Sequence, residues 1–282
     1  MIAAVLLLSG CDTYHYVVGT IHEDARRPAR AIRHYEAFLA HRPKDPRACE
    51  VRLRTADIYR HFFGRCQEAR RHYETAARDF PRMRACADRA KAGLLSCPDF
   101  FPTDPGRTWI YVDSASGGKA MRLEWTTGAS STSIQTALFA GNKRIQQNVD
   151  HYQKADWAIW RVDNDGREAI LRYPYTEMLS WPAKRGKVAI EYLVVGGSVA
   201  VRGKAGAFSG CLKIRETDLR FKKSWKYDYY CPGVGRVKTT VGGPGFENPN
   251  TELLRYDGGL VELPKWYAVR PCITSGCKSR PS

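Results

Sequence analysis

At Ser96-Cys97-Pro98 the chain changes character, and that change constrains the fold more than any other feature. Beyond it, short runs rich in Val, Ile, Tyr, Trp and Thr are separated by Gly, Pro, Asp-Gly and Gly-Gly turns, with no helical period between them. Runs of this kind bury their apolar faces only by pairing with one another. Trp109–Val112 and Met121–Trp125 flank the turn Ser116-Gly117-Gly118 and read as a hairpin. Trp157–Val162 and Ala169–Tyr173, around Asn164-Asp165-Gly166, read as a second, and Val188–Val195 with Val199–Arg202, around Gly196-Gly197, as a third. The expectation is a curved antiparallel sheet or half-barrel over residues 98–260, followed by a tail at 261–282. Strict alternation assigns Glu191 and Glu216 to the solvent side. It leaves Trp125, Trp157, Trp160, Trp181, Trp225, Tyr227 and Tyr229 to fill the core of the sheet or, alternatively, to line an apolar cavity.

Before the boundary, apolar residues recur at helical spacing from Glu23 to about Leu95, and a repeat is visible. Ala31, Tyr35, Phe38 and Pro43 are matched 38 positions later by Ala69, Tyr73, Ala76 and Pro81. Small residues let helices approach, aromatics fill the groove between them, and a proline stops each unit. The pattern resembles the second helix of tetratricopeptide repeats. That resemblance implies an α+β, multi-domain chain, with tetratricopeptide-like α-hairpins over 23–97 preceding the antiparallel domain. It also implies a scaffold that binds other proteins, with Arg47, Arg52, Arg54, Arg60, Arg70 and Arg71 as candidate partner-binding residues for acidic peptides. The same arginines are equally readable as the solvated faces of amphipathic helices.

At the N-terminus an apolar run, Ile2–Leu8, leads into Leu8-Ser9-Gly10-Cys11, which resembles the lipobox of bacterial lipoproteins. The resemblance implies a signal peptide at 1–10, acylation of Cys11 and a lipidated linker at 11–22. No Lys or Arg precedes the run, so the reading expects the true start to lie upstream. Setting Cys11 aside, the remaining cysteines are an even eight: Cys49, Cys66, Cys86, Cys97, Cys211, Cys231, Cys272 and Cys277. An even set suits disulfides in an oxidising compartment. No C-x-x-C pair or neighbouring His suggests a metal, and no cofactor is expected. Cys66 should open one helix and Cys97 close the next, which would bring them together. Cys211 and Cys231 should face each other at the open end of a hairpin that turns near Arg220–Lys223. Cys272 and Cys277 would close a small loop in the tail.

Two stretches resemble a family of functionally uncharacterised extracytoplasmic bacterial domains: Ala205-Gly206-Ala207-Phe208-Ser209-Gly210-Cys211-Leu212-Lys213-Ile214, and Tyr229-Tyr230-Cys231-Pro232-Gly233-Val234-Gly235-Arg236-Val237-Lys238. Phe101-Pro102, Pro105-Gly106, Trp109 and Tyr111 match that family's opening element, and Cys231 stands where the family has a small residue. The resemblance implies a curved antiparallel sheet and no known activity. A Pro-Gly-Val-Gly segment is read mechanically, as a turn. Gly242-Gly243-Pro244-Gly245 lacks the following Lys-Ser/Thr of a phosphate cradle.

The formal charge of +16 favours anionic surfaces. The N-terminus and the cysteines point outside the cytoplasm, so membrane headgroups, envelope proteins or acidic polysaccharide are preferred to nucleic acid. No enzyme is expected: only His151 of the seven histidines lies beyond residue 75, and neither G-x-S-x-G nor H-E-x-x-H occurs. The leading expectation is a non-catalytic envelope lipoprotein facing the periplasm and acting as a protein-binding adaptor. The alternative is a carrier or sensor holding a lipid or other amphiphile in the curved sheet, similar to lipoprotein-sorting half-barrels.

Overall fold

Alternating strands with glycine turns build one sheet, and it accounts for most of the chain. The computed structural model describes residues 2–130 and 132–258, with side chains from Thr13 onward. Five helices come first: α1 (Ile2–Asp24), α2 (Pro28–His41), α3 (Pro46–Phe63), α4 (Cys66–Asp79) and α5 (Arg84–Leu95). Twelve strands follow: β1 (Thr108–Asp113), β2 (Met121–Thr127), β3 (Ser133–Ala140), β4 (Lys143–Ala155), β5 (Ala158–Asp163), β6 (Gly166–Arg172), β7 (Ser180–Arg185), β8 (Val188–Gly203), β9 (Gly206–Asp218), β10 (Trp225–Cys231), β11 (Gly235–Gly243) and β12 (Phe246–Asp257).

The strand order is β6-β5-β4-β3-β2-β1-β12-β11-β10-β9-β8-β7, with every pairing antiparallel. Pairing β1 with β12 curls the meander so that its two edges, β6 and β7, come side by side. They meet through side chains: the Trp181 indole donates to the Ala169 carbonyl at 2.8 Å, and Arg185 pairs with Glu168. Pro182 in β7 has no N–H to offer a ladder, which suits an edge strand. The result is a near-barrel. One part of its core is apolar, built from Ile134, Ile159, Leu171, Trp181, Val194 and Ile214, and Leu95 at the end of α5 enters it with Phe100 and Phe101 of the following segment.

The expected α+β, multi-domain arrangement is therefore corrected: the fold is mainly β, with five short helices leading into it. Two repeat units bury too little of their own stripe to stand as a solenoid. The repeated residues do pack, since Ala31, Tyr35, Phe38, Ala69, Tyr73 and Ala76 are buried, and the rings of Tyr35 and Tyr73 lie against Gly19 and Gly93. The last two helices, however, close onto the sheet. Tyr173 donates to Glu74 at 2.5 Å and accepts from Arg70 at 3.1 Å, and Trp157 packs with the buried residues of α4 and α5.

The third expected hairpin is also absent. Residues 188–203 form one strand, and Gly196-Gly197 sits at an irregularity in its register with β9. Neither glycine has a positive φ, so the pair bends a strand without reversing it.

Candidate functional site

Above the apolar core the inside of the near-barrel turns polar. In β10 the inward residues are Lys226, Asp228 and Tyr230, while Trp225, Tyr227 and Tyr229 take the opposite face. Those three aromatics sit with the cations of β9 instead: Lys213 lies 4.2 Å from the Tyr227 ring and Arg215 5.5 Å from the Trp225 ring. Glu216, expected in solvent, also points inward. Alternation was read with the apolar residue inside, and in this half of the sheet the charged residue is inside. Glu191 is exposed.

The inward groups form a connected chain of ion pairs. Glu168, only 2% exposed, receives Arg161 at 2.6 Å, Arg185 at 2.8 Å and the Tyr192 hydroxyl at 2.6 Å. Arg185 continues to Glu216 at 2.9 Å, Glu216 to Lys226 at 2.8 Å, and Lys226 to Asp228 at 3.0 Å. Asp228 also accepts from the Thr239 hydroxyl at 2.6 Å. Desolvation works against the Glu216 carboxylate, but the charges of Lys226 and Arg185 outweigh it and hold the carboxyl down at about 2. Burial likewise opposes the Lys226 ammonium, and Asp228 and Glu216 overcome that, raising it. For Asp150, burial is the largest influence and pushes the carboxyl up, against the nearby charge of Arg161. Burial also pushes the phenols of Tyr152 and Tyr230 up, so both remain neutral hydrogen-bond donors.

These side chains surround a cavity of about 270 Å³, which Phe101, Leu123 and Trp125 also line. Its most unusual occupant is Arg236. Two rings hold its guanidinium, Trp125 at 4.3 Å and Tyr111 at 5.1 Å, while the nearest carboxylate, Asp228, is 3.8 Å away. Its Nε is buried without a partner among the described residues, as is the Nε of Arg161.

The backbone that aims Arg236 comes from the Pro-Gly-Val-Gly turn. Gly233 and Gly235 both have positive φ, 71° and 91°, and a Cβ on Gly235 would come within 3.3 Å of Pro102. The carbonyl of Val234 accepts from the Trp109 indole at 2.6 Å, and that of Arg236 from the Tyr111 hydroxyl at 2.9 Å. Gly233 N–H donates to the Asp99 carbonyl at 2.7 Å. The opening element and the Pro-Gly-Val-Gly turn therefore lock each other, and Arg236 is the side chain they deliver. Sequence reasoning passed over Arg236 because the turn had a sufficient mechanical explanation.

The structure joins Cys66 to Cys97, Cys211 to Cys231 and Cys49 to Cys86, with Cα separations of 5.2, 4.2 and 6.3 Å. Cys272 and Cys277 lie outside the described residues. Cys11 falls within α1, before the first described side chain. No helix among the described residues is long and apolar enough to cross a membrane.

The six arginines proposed for partner binding go to different places. Arg47 pairs with its helix cap Asp45 at 2.9 Å, and Arg54 bridges Glu23 and Glu50 at 3.1 and 3.3 Å. Arg70 joins Glu74 and Tyr173 at the sheet, with exposed Arg71 beside it in a surface pocket of about 310 Å³. Arg52 and Arg60 are half-buried on α3.

No protein-family model matches the chain, and no curated protein matches it. Two crystal structures are loosely similar, each over 56% of this chain and 98% of its own. One is a candidate lipoprotein of Parabacteroides distasonis, 15% identical with a TM-score of 0.39. The other is a candidate exported protein with a YmcC-like fold from Bacteroides fragilis, 13% identical with a TM-score of 0.33. Superpositions this loose say nothing about what the chain binds.

Proposed function

We infer that the chain is an extracytoplasmic lipoprotein, held at a membrane through acylated Cys11, whose near-barrel is a non-catalytic binding module for a small polar ligand. The observation that carries this reading is the cavity: a space of about 270 Å³ inside the near-barrel, lined by ion-paired side chains beside an apolar core. Three disulfides and an even cysteine set apart from Cys11 support an oxidising compartment. The Leu-Ser-Gly-Cys sequence supports the tether.

The binding reading is preferred to catalysis because the interior carboxylates Glu168 and Glu216 are each held by two cations, leaving neither free as a base. It is preferred to lipid carriage because an acyl chain in this cavity would strip water from charged groups without replacing its hydrogen bonds. The excess of positive charge would then draw the module toward anionic headgroups or acidic polysaccharide.

Metabolic labelling with a tritiated fatty acid, followed by membrane fractionation, tests the tether. The expected result is label on the wild-type chain in the membrane fraction, and an unlabelled, soluble Cys11→Ala variant. An unlabelled wild-type chain in the soluble fraction would overturn it.

A further inference from the structure

Among the described residues, every cation lining the cavity but one has a carboxylate within hydrogen-bonding distance. Arg161 and Arg185 share Glu168, and Lys226 lies between Glu216 and Asp228. Arg236 does not. The oxygen of Asp228 nearest to it is 3.8 Å away and already accepts from Thr239. It is also supported by the faces of Trp125 and Tyr111 and by the Tyr111 hydroxyl oxygen. Aromatic faces stabilise a cation but do not satisfy its N–H groups, and burying the Nε–H without an acceptor is costly. The cost falls when something with oxygen acceptors occupies the space in front of it.

We propose that the cavity binds a small oxyanion, a carboxylate or phosphate group, seated against the Arg236 guanidinium. The planar fork of a guanidinium matches such a group with two parallel hydrogen bonds. The phenols of Tyr152 and Tyr230 line the same space as neutral donors, and Arg161, also on its lining, has an Nε with no partner among the described residues. Glu216 and Asp228 on the cavity wall are paired with Lys226, and Asp150 also faces an incoming anion. Burial raises the pKa of Asp150, the direction that opposes an incoming anion less. The fold invests two sequence stretches, the Trp109–Tyr111 element and the Pro-Gly-Val-Gly turn, in holding this one arginine, which is more than a filler side chain requires.

This inference rests on the reading of the cavity as a ligand site, and the test separates the two. The full chain, purified in detergent, is titrated by calorimetry with orthophosphate, with acetate and with glucose as an uncharged probe, and its melting temperature is followed with each. Saturable binding of one of the anions is expected, and which of them binds more tightly assigns the group. Arg236→Met should weaken that binding by about tenfold or more, the loss of a charged hydrogen bond. It should leave melting without ligand unchanged or raised, because it removes an underpaired buried charge. Arg236→Lys should bind with intermediate affinity, and Arg255→Met, altered on an exposed residue of β12, should bind as wild type. Equal anion binding by wild type and Arg236→Met would overturn the proposal. Binding of glucose alone would overturn it while leaving a ligand cavity standing, and binding of none of the three would remove both.

Discussion

Removing the negative charge of Glu168 should destabilise the protein more than any comparable change on the outside of the sheet. In Glu168→Gln the side chain keeps its shape and can still meet the Tyr192 hydroxyl, but Arg161 and Arg185 lose the carboxylate that both contact. Breaking a buried pair by deleting one partner costs about 3–5 kcal/mol. The lower end applies here, because Arg185 keeps Glu216 at 2.9 Å and both guanidiniums reach solvent in part, at 23% and 37% exposure. About 3 kcal/mol corresponds to a fall in melting temperature of about 6–12 °C for a chain of this size. The assay is equilibrium urea unfolding with the disulfides intact, read at the midpoint with the slope held common. Glu191→Gln, an exposed carboxylate on β8, is the control and should stay within about 0.5 kcal/mol of wild type. If Glu168→Gln behaves like Glu191→Gln, the interior network is not buried in the sense described, and the argument for a shielded polar cavity fails.

Acid should destabilise the same network. A carboxyl held at about 2 in the folded chain contributes stability that is full above its unfolded value, near 4.3, and is lost as pH falls through 2. Unfolding midpoints between pH 5 and pH 2 should therefore fall more steeply for wild type than for Glu216→Gln, and parallel curves would refute the assignment. Replacing Cys66 and Cys97 together with alanine opens a link 31 residues apart and should cost about 3–4 kcal/mol by loop entropy, measured by urea unfolding; a cost below 1 kcal/mol would show that the helices do not depend on that link. Gly235→Ala, with φ of 91° and Pro102 at 3.3 Å from the new methyl group, should cost more than about 1 kcal/mol by urea unfolding, and a cost near zero would refute the strained-turn reading. Tyr173→Phe should cost about 1 kcal/mol and speed amide exchange in α4, because it removes the hydrogen bonds to Glu74 and Arg70.

The legible parts of this fold were those written in local chemistry. Ser116-Gly117-Gly118 and Asp165-Gly166 mark real hairpins, β1–β2 and β5–β6, because glycine at positive φ has few other uses between alternating strands. Gly196-Gly197 looks the same on paper and is not a turn, since only the register with β9 distinguishes a bend from a reversal. The inside of the sheet was misassigned at β10 for a related reason. Alternation identifies two faces but not which one is enclosed, and Lys226, Asp228 and Tyr230 are inside with matching charges from the neighbouring strands, Glu216 of β9 and Arg236 of β11. Those pairings are set by the register between strands, which no pattern along a single strand reveals. The helical repeat misled in the opposite direction. Its period was real in Tyr35 and Tyr73, yet how α4 and α5 are used depends on Trp157 and Tyr173 of the sheet.

The most direct test is native mass spectrometry of the chain purified from its own membranes in mild detergent, with Cys11 intact. A diacyl or triacyl mass on the Cys11 peptide is expected, together with a small anionic molecule retained by wild type and lost from Arg236→Met. An unacylated chain that carries a phospholipid or fatty acid inside the near-barrel, unaffected by Arg236→Met, would contradict both the tether and the polar cavity.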